Sequence, residues 1–255
     1  MRAGRIIAGL GLAATIVGAV ACIPAEGSEG RIARNTLVVG IDVSGSFRSG
    51  GRYESAIDFA AHYIYAHLNG LGGLRTPTAM FVGAIGGNKP EQAQSFQPIH
   101  TFQGKSVDEI KAYLRSEYPV EDGLTDFNPF FTRVTTLIKR QGLVLAPLEV
   151  VILSDGLPDV GKRDGGERFK RIDVTGLEYL SRSVTVRLLF PEPPVAVEWE
   201  RNVPRRRVRM WTVDDEVMET WRTHLQANTP VDAQNQLWDW ISDNVDFKVR
   251  TRGIL

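Results

Sequence analysis

The stretch LVVGIDVSGSFRSGG, residues 37–51, passes from a short apolar run into a polar segment rich in serine and glycine. An apolar run of this length that ends in turn-forming residues is typical of a buried strand. Asp42, Ser44 and Ser46 occupy alternate positions just where the run ends. Because alternate side chains on a strand point the same way, these three residues predict a cluster of oxygen donors at a strand end.

Beyond this stretch, apolar runs alternate with helical patterns. The other predicted strands cover residues 78–85, 148–154, 183–190 and 207–213. The predicted helices cover residues 54–68, a segment that opens with a capping box of Ser106 and Glu109, a segment with Asn128 as N-cap, residues 215–225, and a last helix from Thr229. This alternation predicts an α/β fold, a doubly wound and mostly parallel sheet with helices on both faces.

Length and composition are those of a soluble globular protein. The 255 residues are 43% hydrophobic and 24% charged, which excludes a disordered chain. Residues 36–255 are expected to form one domain with a helical extension at its C-terminal end. The formal net charge is zero, so no global positive field directs the chain toward nucleic acid, and no nucleic-acid partner is expected.

Two further loops place oxygen donors at the same predicted edge of the sheet. Asp155 closes the strand 148–154, and Thr125 lies in GLTDF, ahead of a predicted helix. Doubly wound folds bind ligands beyond the carboxyl ends of their strands. Two carboxylates and three hydroxyls, without histidine or cysteine, suit Mg²⁺, Mn²⁺ or Ca²⁺ and argue against zinc.

The three-part set of DVSGS, GLTDF and LSDG resembles the metal-ion-dependent adhesion site of von Willebrand factor type A (VWA) domains, over roughly residues 36–225. Ser154 stands where that family commonly has threonine. The resemblance implies a Rossmann-like VWA fold and a Mg²⁺ site. Its ligands, bound directly or through water, would be Asp42, Ser44, Ser46, Thr125 and Asp155. Few charged ligands leave the cation with positive charge, so we expect a binding module, not an enzyme, whose protein ligand presents an acidic side chain.

Three other interpretations of these residues remain. Asp, Ser and Gly also form ordinary strand-to-helix turns. A metal-dependent hydrolase would use the same cation to activate water but needs a general base, for which the candidates are Asp42, Asp126, Asp155 and Asp159. VGIDVSGSF is also similar to the first phosphate loop of actin-like ATPases, although that family has glycine at the position of Ser44.

The N-terminal segment, residues 1–21, has the features of a secretory signal peptide. Arg2 and Arg5 precede the apolar run IIAGLGLAATIVGAVA, which falls short of the ~20 residues that a membrane-spanning helix needs. The only cysteine, Cys22, follows directly. AVAC resembles the lipobox of bacterial lipoproteins, although Ala19 stands where that family prefers Leu, Val or Ile. Ordinary cleavage at the same bond, leaving a free thiol, is the alternative.

The lipobox resemblance implies a lipid on Cys22 and a place in the bacterial cell envelope. Ile23 is not the aspartate that retains lipoproteins at the inner membrane in enterobacteria, which favours the outer membrane or its periplasmic face. Residues 22–35 are small, polar and without periodicity. They predict a tether that reaches at most ~45 Å, so the domain would stay near its membrane.

Three other features have no assigned role at this stage. PEPP, residues 191–194, predicts a stiff loop between strands. Trp240, off the apolar stripe of the last helix, is a candidate for a partner surface. The run of Arg205, Arg206 and Arg207 either touches anionic lipid or an acidic partner, or guards a solvated strand edge, which is the favoured interpretation.

Overall fold

The computed structural model describes residues 35–87, 96–121, 123–159 and 165–247. The predicted signal peptide, Cys22 and the predicted tether up to residue 34 lie outside these ranges. None of the helices within them combines the length and the apolar composition needed to cross a bilayer.

Within the described residues, six strands form one sheet: Thr36–Asp42 (β1), Ala79–Ile85 (β2), Gln97–Pro98 (β3), Leu148–Leu153 (β4), Val184–Leu189 (β5) and Val208–Val213 (β6). Their order in the sheet is β3-β2-β1-β4-β5-β6. All neighbouring strands are parallel except β2 and β3, which are antiparallel. The predicted α/β fold with a mostly parallel sheet is therefore confirmed. The strand order reverses between β1 and β4, the position at which doubly wound sheets bind ligands.

In the described part of the chain, seven α-helices cover the two faces of the sheet. Their bounds are Arg52–Asn69 (α1), Val107–Glu117 (α2), Phe127–Arg140 (α3), Thr175–Glu178 (α4), Pro193–Asn202 (α5), Asp215–Met218 (α6) and Asn235–Asn244 (α7). Short 3-10 turns lie at Ser49–Gly51, Leu71–Gly73, Ile99–Thr101, Gly165–Arg171, Trp221–His224 and Val231–Ala233.

The alternation of side chains along β1 divides the core into two layers. Leu37, Val39 and Ile41 pack with α1, α2 and α7 on one face, whereas Val38 packs with α3, α4 and α5 on the other. The strand has glycine at position 40 because a Cβ there would come within 2.7 Å of the Phe130 ring. Both faces of β1 are buried, which explains why its sequence is a continuous apolar run.

Several local predictions hold and others need correction. The capping box of Ser106 and Glu109 is present. Asn128 is not the N-cap of α3; Asp126 is, and its carboxylate accepts the backbone N–H of Asn128. The predicted helix 215–225 is α6 followed by a separate 3-10 turn, and the last helix begins at Asn235, six residues after Thr229. In each case the periodicity of apolar residues identifies the helix, whereas the residue at which the helix begins or ends depends on local turns that the periodicity does not show.

Two predictions about the C-terminal half are wrong. PEPP does not simply link two strands, because Pro193 and Pro194 occupy the first turn of α5, where proline is well tolerated. Trp240 is not a surface residue. It is 8% exposed and packs edge-on against Phe59 at 6.3 Å, so it belongs to the core on the α1 side.

A hollow of about 330 Å³ lies at the amino-terminal edge of the sheet, and both Asn35 and Phe247 line it. The buried Arg187 crosses this hollow. Its Nε donates to Glu149 at 2.5 Å, its Nη2 donates to the Phe247 carbonyl at 3.0 Å, and its guanidinium lies over the Phe247 ring. Arg187 thereby holds Phe247, which follows α7, at the hollow that Asn35 also lines.

Candidate metal centre

The carboxyl ends of β1 and β4 bring the first donors together. The two strands pair in parallel with Ile41 opposite Leu153, so the next residues, Asp42 and Ser154, are neighbours. The Ser154 hydroxyl donates to Asp42 Oδ2 at 2.5 Å, and the backbone N–H of Ser44 donates to Asp42 Oδ1 at 2.8 Å. Asp42 is fully buried and is held at both oxygens, each of which keeps a further lone pair.

The serines of the DVSGS loop connect Asp42 to the second carboxylate. The hydroxyl oxygens of Ser44 and Ser46 lie 3.2 Å apart, and the Ser46 hydroxyl is close enough to the Asp155 carboxylate to lower its pKa. Asp155 also accepts the backbone N–H of Leu157 at 3.0 Å. Ser44 is buried and Ser46 is exposed, so the cluster opens to solvent on the side of Ser46.

The loop that carries Thr125 also lies close to Asp42. Thr125 donates its N–H to the Asp159 carboxylate and accepts the Asp159 N–H at its carbonyl, both at 3.0 Å. A Cβ on Gly86 would lie 3.4 Å from Thr125 Cα and 3.6 Å from Asp42 Oδ1. The left-handed glycine, with φ of +71°, thus allows the loop to approach the carboxylate closely.

The Thr125 hydroxyl has no hydrogen-bond partner among the described residues, although it is fully buried. A buried hydroxyl without a partner is unfavourable by about 1–3 kcal/mol. An additional group bound in the crevice beside Asp42 would supply the missing interaction.

The electrostatics of the site also favour a bound cation. Burial, together with the negative charge of Asp155, raises the pKa of Asp42 to about 7, against the lowering effect of hydrogen bonds from Ser154 and Ser44. Burial likewise raises the pKa of Asp155, while hydrogen bonds from Leu157 and Ser46 and the charge of Arg52 lower it. Two buried carboxylates in proximity carry negative charge that a divalent cation would neutralise.

The structure brings all five predicted ligands, Asp42, Ser44, Ser46, Thr125 and Asp155, to one end of the sheet. This donor set consists of two carboxylates and three hydroxyls, and within the described residues no cluster of three or more His, Cys, Asp or Glu side chains adds to it. Hard oxygens with only two charges fit Mg²⁺, Mn²⁺ or Ca²⁺.

Two functional residues were missed or misjudged from the sequence. In the sequence Ser154 is only a departure from the threonine of the VWA pattern, yet its hydroxyl donates to Asp42 and accepts the Gly156 N–H at 2.9 Å. The sequence offers Asp159 as a candidate base that coordination or capping could occupy instead, and in the structure it holds the Thr125 loop. Only the position of Ser154 at a strand end gave a signal in the sequence.

Helix α5 supports the loop that carries Asp155. The Trp199 indole N–H donates to the Gly156 carbonyl at 2.7 Å. Gly156 has a φ of +73°, and a Cβ there would come within 2.7 Å of Leu188 and 2.9 Å of Trp199 Nε1. Glycine is therefore required directly after Asp155 for both conformation and space.

No protein-family profile and no curated protein matches the sequence. Among solved structures, the chain is similar to proximal thread matrix protein 1 from the mussel byssus, with a TM-score of 0.44 and 14% identity, over 74% of this chain and 46% of that one. It is also similar to the SpRpn10 VWA domain, with a TM-score of 0.40 and 12% identity, over 80% and 93%.

A third similar structure is the mussel protein with a zinc-occupied MIDAS motif, with a TM-score of 0.40 and 12% identity, over 73% of this chain and 44% of that one. The chain thus spans less than half the length of the mussel proteins that it matches.

Proposed function

We propose that this chain is a binding module that recognises a protein partner through a divalent cation, Mg²⁺ or alternatively Mn²⁺ or Ca²⁺. The observation that carries the proposal is the convergence of five oxygen donors from three loops on one crevice, together with the buried Thr125 hydroxyl that has no partner among the described residues. The order and type of these donors also match the VWA metal site that the sequence resembles.

The charge of the donor set supports an acidic ligand. A divalent cation prefers about six oxygens, and Asp42 and Asp155 supply its only charged ones. An Asp or Glu of the partner would displace water and gain Coulomb attraction. Leu124, directly before Thr125, is 64% exposed and offers an apolar contact beside the cation. A binding surface of this kind combines a charged centre with an apolar anchor.

A hydrolase would need a base in addition to the cation, and two of the candidate bases are engaged otherwise. Asp126 caps α3, and Asp159 accepts the Thr125 N–H. Among the described residues no hydrogen bond joins a histidine to the site; His67, for example, lies at the amino-terminal hollow. These contacts favour the binding module, so we propose that the chain is not an enzyme.

The partner is expected to bind in Mg²⁺ and to be released in EDTA. Once the partner has been captured by crosslinking, its affinity can be measured in both conditions.

Leu124→Ser should weaken partner binding about tenfold without changing the metal affinity, since Leu124 lies beside the ligands but is not one of them. Thr125→Ala should weaken partner binding more than metal binding. Val197→Ser, at an exposed valine of α5, is the matched control. Equal binding with and without EDTA would contradict the proposal.

We further propose that the protein is held in the bacterial cell envelope by a lipid on Cys22, with the outer membrane or its periplasmic face favoured. Intact-mass measurement of protein from bacterial membranes should show a chain that begins at Cys22 and carries a diacyl or triacyl adduct. Cys22→Ser should move the protein to the soluble envelope fraction. A soluble wild-type protein with a free thiol would contradict this assignment.

A further inference from the structure

The amino-terminal edge of the sheet, opposite the metal centre, presents a surface that is both apolar and basic. Leu145 and Tyr179 are 79% and 77% exposed, the highest values among the large hydrophobic side chains of the described ranges. Arg182, Arg206 and Arg207, which precede strands at the same edge, are exposed as well. The amphiphilic face, as we define it, consists of Val144, Leu145, Tyr179, Arg182, Arg206 and Arg207.

Hydrogen bonds link the three segments that carry the leucine, the tyrosine and the arginine run. The Leu145 N–H donates to the Leu180 carbonyl at 2.6 Å, which places the turn beside the residue that follows Tyr179. The Glu178 carboxylate accepts the backbone N–H of Arg206 at 2.6 Å and that of Arg207 at 3.4 Å. Helix α4 therefore sits between the exposed leucine and the arginine run.

The arginines of this face have uncompensated charge. In the described part of the chain, no salt bridge joins Arg182, Arg206 or Arg207 to an acidic side chain. The neighbouring acid, Glu178, is buried and turned toward the backbone. Although the whole chain has a net charge of zero, this face is locally positive.

Arg205 differs from its two neighbours. Its guanidinium donates to the carbonyls of Val203 and Glu200, at 2.9 and 2.6 Å, and so caps the C-terminal end of α5. The arginine run thus contains one structural residue, and Arg206 and Arg207 are the two that face outward.

Leu145 has a conformation that glycine would adopt more easily. Its φ is +76°, in the left-handed region that is unfavourable for a leucine. Its side chain is exposed, so packing does not compensate for this cost. A strained and exposed leucine at the tip of a turn does not stabilise the domain through packing. Its presence indicates that it contacts another molecule.

The chain enters the domain next to this turn. The Thr36 N–H donates to the Pro147 carbonyl at 2.9 Å, two residues from Leu145. We propose that the amphiphilic face docks onto the headgroup layer of an anionic lipid bilayer. Guanidinium groups bind lipid phosphates, and Leu and Tyr side chains enter the boundary between headgroups and acyl chains.

This docking would orient the metal centre. Asp42 lies at the far end of β1, roughly 20 Å from Thr36 at the rise of a β-strand. With the amino-terminal edge on the bilayer, the crevice of Asp42 and Asp155 faces away from the membrane. The docking itself does not depend on the cation or on the lipid anchor.

Vesicle sedimentation tests the proposal. The protein for this experiment spans residues 22–255 with Cys22→Ser, because both core layers are formed by residues between 37 and 245. We expect it to sediment with vesicles of equal parts phosphatidylglycerol and phosphatidylcholine, but not with phosphatidylcholine alone, and to be released by high salt. EDTA should leave this binding unchanged, which separates it from the metal-dependent function proposed above.

Two variants and a control assign the effect to the face. Arg206→Gln with Arg207→Gln should weaken binding to the anionic vesicles about 25-fold, at roughly fivefold for each charge. Leu145→Gly should weaken it about fivefold while relieving backbone strain, so loss of folding cannot explain the result. Arg48→Gln, at an exposed arginine of the opposite edge, should have no effect. Failure to bind anionic vesicles, or equal losses in all variants, would overturn the proposal and leave the face to a protein partner.

Discussion

Replacing Asp42 by asparagine is expected to lower the affinity for Mg²⁺ by about 100-fold or more, because the site would lose one of its two charged ligands in a buried setting. The fold should be unaffected. The introduced amide has the shape of the carboxylate, can still accept the Ser44 N–H, and can donate to the Ser154 hydroxyl in place of accepting from it. Titration calorimetry on the wild type and on the variant gives the two affinities directly.

The same variant should be more stable than the wild type when no metal is present. At about pH 8 the wild type buries an ionised Asp42 near Asp155, whose charge disfavours ionisation. The substitution removes that charge, so the metal-free unfolding free energy should rise by roughly 1–3 kcal/mol. Asp239→Asn, at an exposed position of α7, is the matched control and should change neither quantity. Unchanged metal affinity in Asp42→Asn would refute the metal centre.

Lowering the pH from about 8 to about 5 is expected to weaken Mg²⁺ binding about 100-fold, or about tenfold for each pH unit below 7. Burial and the charge of Asp155 raise the pKa of Asp42 to about 7 in the metal-free protein. Below that pH the cation has to displace a proton, whereas an ordinary aspartate would already be ionised at pH 5.

Protonation of Asp42 should also set how the metal-free unfolding free energy changes with pH. The pKa of Asp42 is about 7 in the folded chain, against 3.8 for the ordinary group. The folded state therefore holds this proton more tightly. Its contribution to stability is full below about pH 4 and is lost as the pH rises through about 7. Metal-free unfolding free energies should decrease over that interval. Stabilisation by Mg²⁺ should increase from about pH 5 to about pH 8. A pH-independent affinity would contradict the raised pKa.

The strands and the clustering of the candidate site residues were predictable from the sequence because each has a local signal. Leu37–Ile41 and the strand before Asp155 are apolar runs that end abruptly, and period and composition alone identify such segments. The two aspartates and the two serines follow strand ends, where parallel topology brings loops together, and Thr125 lies in a short loop directly ahead of a helix.

The elements that could not be predicted depend on contacts distant in sequence. Pro193 and Pro194 resemble a loop until Val195, Ala196 and Trp199 are seen to pack on the sheet. Trp240 lies off the predicted apolar stripe of α7, but the buried face of this helix is wider than that stripe, so Trp240 packs against Phe59. Tertiary burial decided both cases, and local periodicity carries no information about it.

The hydrogen-bond partners of the site side chains could not be predicted from the sequence either. In the sequence Asp126 is adjacent to Thr125 and Asp159 is 34 residues further on, yet Asp159 holds the Thr125 loop and Asp126 caps α3. The link from Ser154 to Asp42 spans 112 residues of sequence and follows only from the pairing of β1 with β4.

The hollow crossed by Arg187 has a consequence for how the domain can be carried by a longer polypeptide. Because Asn35, directly ahead of β1, and Phe247, three residues after α7, line one hollow, the first strand and the last helix of the domain meet at one place, which is the geometry of an insert. It can be grafted into a surface loop of a host protein with short linkers, or circularly permuted by joining these two positions. In either arrangement the junction lies at the edge opposite Asp42, and the crevice at the carboxyl edge stays accessible.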